Sequence, residues 1–100
     1  MRRGTTPTHI FDVDIDTSLI KEAKITYTQD DKIILEKRVN DCEITQGRIK
    51  TKLTQEETLK FDCTKFVYIQ IRALMINGDC LATDVIMASV DKCLDNEVLE

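Results

Sequence analysis

The chain has 100 residues, 42% of them hydrophobic and 32% charged, which suits one domain with one core and lies away from the compositions that stay disordered. A net charge of -4 and a pI near 5.0 exclude a broad nucleic-acid surface, which needs a concentration of Lys and Arg. Three glycines in total leave none for a phosphate-cradling loop.

The leader carries Arg2 and Arg3, then Gly4-Thr5-Thr6-Pro7-Thr8, with no apolar stretch. Neither a secretory nor a twin-arginine signal is read there, and no segment has the apolar length to span a bilayer. The expectation is a protein cytoplasmic when made, with residues 1–8 as a flexible arm suited to adding a strand to a partner's sheet. Thr8 to Asp16 alternates, with Phe11, Val13 and Ile15 on one face and Asp12, Asp14 and Asp16 on the other, which predicts a strand with one wet face. The D-x-D-x-D spacing opens like a calcium loop, but Thr17 stands where the turn glycine belongs and Ala23 where the bidentate glutamate belongs. The three carboxylates are read as a solvated face, with the cations of Arg48, Lys50 and Lys52 as candidate neighbours. Asp16-Thr17-Ser18 supplies helix-cap chemistry for a single turn over Leu19 to Ala23. Lys24 to Gln29 and Ile33 to Val39 then form a hairpin about the polar Gln29-Asp30-Asp31-Lys32.

After a break at Asn40-Asp41 comes a short piece over Cys42 to Ile44, and Thr45-Gln46-Gly47 turns the chain into Arg48 to Leu53. Ile49, Thr51 and Leu53 face inward there, and Arg48, Lys50 and Lys52 outward, as on a solvated or edge strand. Thr54-Gln55-Glu56-Glu57 is a capping box opening one helical turn that ends near Phe61. Lys65 to Val90 holds the clearest signal, two alternating runs about Asn77-Gly78-Asp79. Val67, Ile69, Ile71, Ala73 and Met75 share one face, and Phe66, Tyr68, Gln70, Arg72 and Leu74 the other. A two-residue turn pairs Met75 with Cys80 and sets Ile71 against Asp84. A three-residue turn through Asp79 pairs Ile71 with Val85, Ile69 with Met87 and Arg72 with Asp84, and is favoured because it matches apolar with apolar and cation with carboxylate. The second face, with Tyr68, Gln70, Arg72 and Asp84, is the candidate partner surface. The domain is expected over residues 9–94, with 95–100 as an acidic tail.

Cys42, Cys63, Cys80 and Cys93 contain no C-x-x-C pair, so they are read as reduced, small apolar side chains and not as a metal site. His9 is the only imidazole and lies in the Thr-rich leader, expected to be extended and exposed; no nucleophile, zinc or cofactor motif accompanies it. The expectation is no enzyme, no cofactor and no metal. Without tryptophan, a sugar-stacking platform has little to build on.

About seven short strands and one or two single helical turns predict an all-β fold, a Greek-key β-sandwich of the immunoglobulin-like kind. The stretches Arg3-Gly4-Thr5-Thr6-Pro7-Thr8, Leu53-Thr54-Gln55-Glu56-Glu57-Thr58, Ile69-Gln70-Ile71-Arg72 and Cys93-Leu94-Asp95-Asn96-Glu97-Val98-Leu99 resemble small proteins encoded in phage and prophage regions of Gram-positive gut bacteria. The order of elements is similar to the immunoglobulin-like N-terminal domain of phage baseplate upper proteins. These resemblances imply a non-enzymatic structural or assembly protein, tail, baseplate or capsid-associated. Its implied partners are other copies of itself or other virion proteins, with no nucleic acid and no membrane, and its implied destination is the virion. The alternative is a binding module for a carbohydrate or protein on the host surface.

Overall fold

Strict alternation of apolar and polar residues from Val67 to Met75 builds the central strand of the larger of two sheets. In the computed structural model, which describes residues 1–100 apart from the side chain of Val39, every second residue of this strand is buried. The strands are β1 (Thr8–Asp12), β2 (Ile20–Gln29), β3 (Lys32–Arg38), β4 (Glu43–Thr45), β5 (Arg48–Lys52), β6 (Val67–Met75), β7 (Cys80–Ala82) and β8 (Ile86–Ala88), with one α-helical turn, α1 (Gln55–Thr58), and 3-10 turns at Thr17–Leu19 and Val39–Asp41. They form two antiparallel sheets, one ordered β1-β5-β4 and the other β3-β2-β6-β7, with β8 also on β6. The fold is therefore all-β and two-layered. Phe11 and Val13 from the β1 segment and Ile49 and Leu53 from the β5 segment meet Ile25, Tyr27, Leu35, Val67, Ile69 and Ile71 from the larger sheet. Each such side chain contributes about 1.5–3 kcal/mol on burial.

Local chemistry explains the turns. Asp30 and Asp31 both take positive φ, 51° and 60°, between the closing pair Gln29 and Lys32, the geometry that matches the twist of a two-residue hairpin. Thr54 caps α1 by accepting from the Glu57 amide at 3.1 Å, while the Glu57 carboxylate accepts from the Thr54 amide at 2.9 Å, so the capping box forms as read. The turn after Asp16 is shorter than expected. A 3-10 turn covers Thr17–Leu19, and Ile20 already begins β2. Pairing of Glu22 and Ala23 with Leu74 and Ala73 holds this stretch extended, so tertiary pairing overrides a short helical preference.

The hairpin register departs from both readings. Met75 donates to Asp79 O at 2.8 Å and Gly78 donates to Met75 O at 3.0 Å, so the loop is Ile76-Asn77-Gly78, one residue earlier than the favoured one. The left-handed position falls on Gly78, φ 94°; the favoured loop required it of Asp79, where a Cβ is penalised. Arg72 therefore lies opposite Ala82 and not Asp84, and Ile71 opposite Thr83. Thr83 to Val85 interrupts the edge, after which the register shifts by one and Tyr68 faces Met87, Ile69 faces Ile86 and Val67 faces Ala88.

Of residues 1–8, expected as an arm, the first seven run along the body. Met1 and Arg3 bond to Ser89 and Asp91 backbone, Thr5 O accepts from Thr58 Oγ1 at 2.9 Å, and Pro7 O accepts from Leu53 N at 2.9 Å. Thr8 is the first residue of β1, so the boundary set at His9 marks no change in packing. The tail also docks: Gln55 donates to Leu99 O at 2.9 Å and accepts from Leu99 N at 2.8 Å, as a neighbouring strand would.

Candidate functional site

The outer face of the larger sheet is built from the residues of β2, β3 and β6 that alternate with the core. Register places them in rows. Ile33, Thr28, Tyr68 and Met87 lie abreast at one end, then Glu36, Thr26 and Gln70, then Arg38, Lys24, Arg72 and Ala82, and finally Glu22, Leu74 and Cys80. The first row is apolar and open: Ile33 is 58% exposed, Met87 58% and Tyr68 42%, and Phe66, two residues before Tyr68, is 53% exposed. The third row sets three cations side by side, an arrangement that costs energy unless charge is compensated. Glu36 pairs with Lys24 at 3.0 Å and Glu22 with Arg38 at 2.9 Å. Arg72 has no carboxylate among the described residues; its Nη2 donates to Cys80 Sγ at 3.5 Å. A cavity of about 240 Å³ opens here, between Glu22, Lys24, Arg38, Arg72, Leu74 and Cys80.

Three of the four residues assigned to the partner surface, Tyr68, Gln70 and Arg72, thus share one face. Asp84 does not join them. It lies in the Thr83 to Val85 interruption and lines a separate cavity between the sheets with Asp12 and Asp14, because the actual register moves it away from Arg72. Gln70 is held by donating to Thr83 O at 2.9 Å. Of the residues that complete this face, Phe66 was assigned outward, whereas Met87 was expected opposite the inward Ile69 and instead lies opposite Tyr68; which of Ile33, Lys24 and Arg38 lie abreast depends on pairings that one strand's pattern does not carry.

His9 sits within β1 and faces the core, and its Nδ1 lies 2.8 Å from the Tyr27 hydroxyl. Burial, and secondarily the N-terminal ammonium, push the His9 pKa down. Burial, with the negative charges of Cys42 and Glu57, pushes the Tyr27 pKa up. Both rings are neutral near pH 7, so the imidazole tautomer sets which of the two groups donates in this bond. This is a structural hydrogen bond in the core, on a histidine that the sequence placed at an exposed leader. Of the acidic strand face, Asp12 meets Arg48 at 2.8 Å across β1 and β5, the basic neighbour that the alternation suggested. All four cysteines are unpaired, and no group of three or more His, Cys, Asp or Glu side chains among the described residues is arranged to hold a metal. Among the described residues no helix is long and apolar enough to cross a membrane.

Comparison with protein-family models, with curated proteins and with solved structures finds no match to this chain.

Proposed function

We propose that this chain is a non-enzymatic structural or assembly module with an immunoglobulin-like Greek-key fold, of the phage structural kind that its sequence resembles, and that it docks through the outer face of its larger sheet. The strand orders support the fold. With β1 taken as strand B of an immunoglobulin domain, β1-β5-β4 corresponds to B-E-D, and β2-β6-β7 corresponds to C-F-G, with β3 added beyond C as in variable-type domains. The observation that carries the docking surface is the row of Ile33, Tyr68 and Met87, apolar and exposed, on the same face as an Arg72 two rows away that lacks a carboxylate among the described residues. Exposed aromatic and Met side chains sharing a face with Arg are the composition of protein interface cores, and an apolar patch rimmed by charge marks an interaction site. The partner surface expected is apolar with a carboxylate placed to meet Arg72. Mass spectrometry of purified particles from cells carrying the gene tests this reading. The chain is expected in the particles at constant stoichiometry; its absence, with the protein abundant in the same cells, overturns the proposal.

A further inference from the structure

The two sheets leave one flank of the sandwich open. β1 is the outer strand of its sheet, and β8 pairs only with β6. Two cavities lie along the gap between them. One, of about 260 Å³, is lined by residues 8–11 and by Met1, Val67, Ile69 and Ala88. The other, of about 390 Å³, is lined by residues 12–15 and by Ala82, Thr83, Asp84 and Ile86. The linings run consecutively along both walls, so the cavities are two stretches of one groove. Its floor is the apolar core, and Ile10 and Ile86 stand at its rim, 54% and 43% exposed. Asp14 and Asp84 line one end and hold no cation among the described residues.

The chain itself shows what this edge accepts. Residues 1–3 run parallel to residues 89–91, just beyond β8: Met1 N donates to Ser89 O at 3.0 Å, Asp91 N to Met1 O at 2.6 Å and Arg3 N to Asp91 O at 3.1 Å. Along an extended strand, backbone groups alternate sides with period two. Ser89 and Asp91 direct theirs outward, away from β6, so Met87 directs its N–H and C=O to the same side, where no strand pairs with them. Residues 1–3 thus pair with the segment that follows β8 and not with β8 itself.

We infer that this flank binds an extended peptide segment of a partner protein, which adds to the β8 edge with alternate apolar side chains in the groove and a Lys or Arg at the end beside Asp14 and Asp84. Strand addition draws affinity from main-chain hydrogen bonds and specificity from alternate side-chain pockets; the carboxylates set which end of the segment is basic. The inference rests on the groove and the outward backbone groups of β8; Met87 supplies its backbone to this edge and its side chain to the outer face.

Random peptides of about twelve residues, long enough to span the flank, are displayed and selected against the immobilised full chain. The enriched sequences are expected to alternate apolar and polar residues and to carry a basic residue at one end. Met87→Pro removes an outward N–H without removing a bond to β6, and is expected to weaken a selected peptide roughly tenfold or more with the melting temperature held near wild type. Asp84→Lys should weaken it similarly, and Arg72→Glu, on the other face, should leave it unchanged. No enrichment over the denatured chain, enriched sequences without alternation, or affinity indifferent to both Met87→Pro and Asp84→Lys overturns the inference. Self-association that Met87→Pro abolishes also overturns it, by making the occupant a second copy of this chain.

Discussion

Lys37 points inward from β3 into the body of the sandwich, and its ammonium lies 2.7 Å from Oε2 and 2.8 Å from Oε1 of Glu57, with the two side chains only 11% and 18% exposed. Glu57→Gln isolates the charge of this pair, because glutamine still serves the third position of the capping box and keeps the bond to Thr54. The substitution leaves Lys37 enclosed and uncompensated. One-sided loss of a buried ion pair costs about 3–5 kcal/mol, and the residual solvent contact of Lys37 points to the lower end, about 3 kcal/mol. For a domain of this size that lowers the melting temperature by roughly 12–24 °C. Lys37→Met removes the orphaned charge, so the double variant should recover most of the loss, with a coupling of about 2 kcal/mol in the cycle. Urea denaturation of the four proteins measures it. Glu57→Gln within about 0.5 kcal/mol of wild type, or zero coupling, refutes the reasoning. Acid supplies a check on sign. Burial works against the Glu57 carboxylate, but the hydrogen bonds from Lys37 and Thr54 outweigh it and hold the pKa below the ordinary glutamate value. The stabilisation is complete above the unfolded value of about 4.3 and is lost as pH falls through the lower folded value. Wild type should shed this stability below about pH 4, and the Gln variant should lack that component.

Further outcomes are expected elsewhere in the fold. Asp31→Gly relieves a left-handed Cβ in the β2–β3 turn and should raise stability by roughly 0.5–1 kcal/mol in thermal melts. His9 has a lowered pKa in the fold, so the unfolded chain takes up its proton first; stability should fall as pH drops below about 6.5, and His9→Gln, whose amide can donate to or accept from Tyr27, should flatten that slope. Lys37 is an inward-pointing charge on an edge strand, a device against edge-to-edge pairing, so Lys37→Met should elute at a larger, concentration-dependent size in gel filtration.

The layers of the fold are legible in the sequence because burial imposes period two on β2, β5 and β6, and every residue assigned inward in β6 is buried. The capping box at Thr54 was legible for the same local reason. What escaped was long-range. Register in the last hairpin turned on which residue takes the single left-handed position, and on an interruption at Thr83 to Val85 that no alternation announces. That one slip moved Asp84 off the outer face while leaving Tyr68, Gln70 and Arg72 together. His9 was misread because its partner, Tyr27, stands 18 residues away in the other sheet.

Docking through the outer face is tested most directly by comparing particle incorporation of wild type with that of the Tyr68→Glu/Arg72→Glu variant. Both residues are exposed, so the variant should fold with a melting temperature within a few degrees of wild type. Wild type incorporated at fixed stoichiometry, with the folded variant lost from the particles, is the predicted result. Equal incorporation of the two proteins would contradict it.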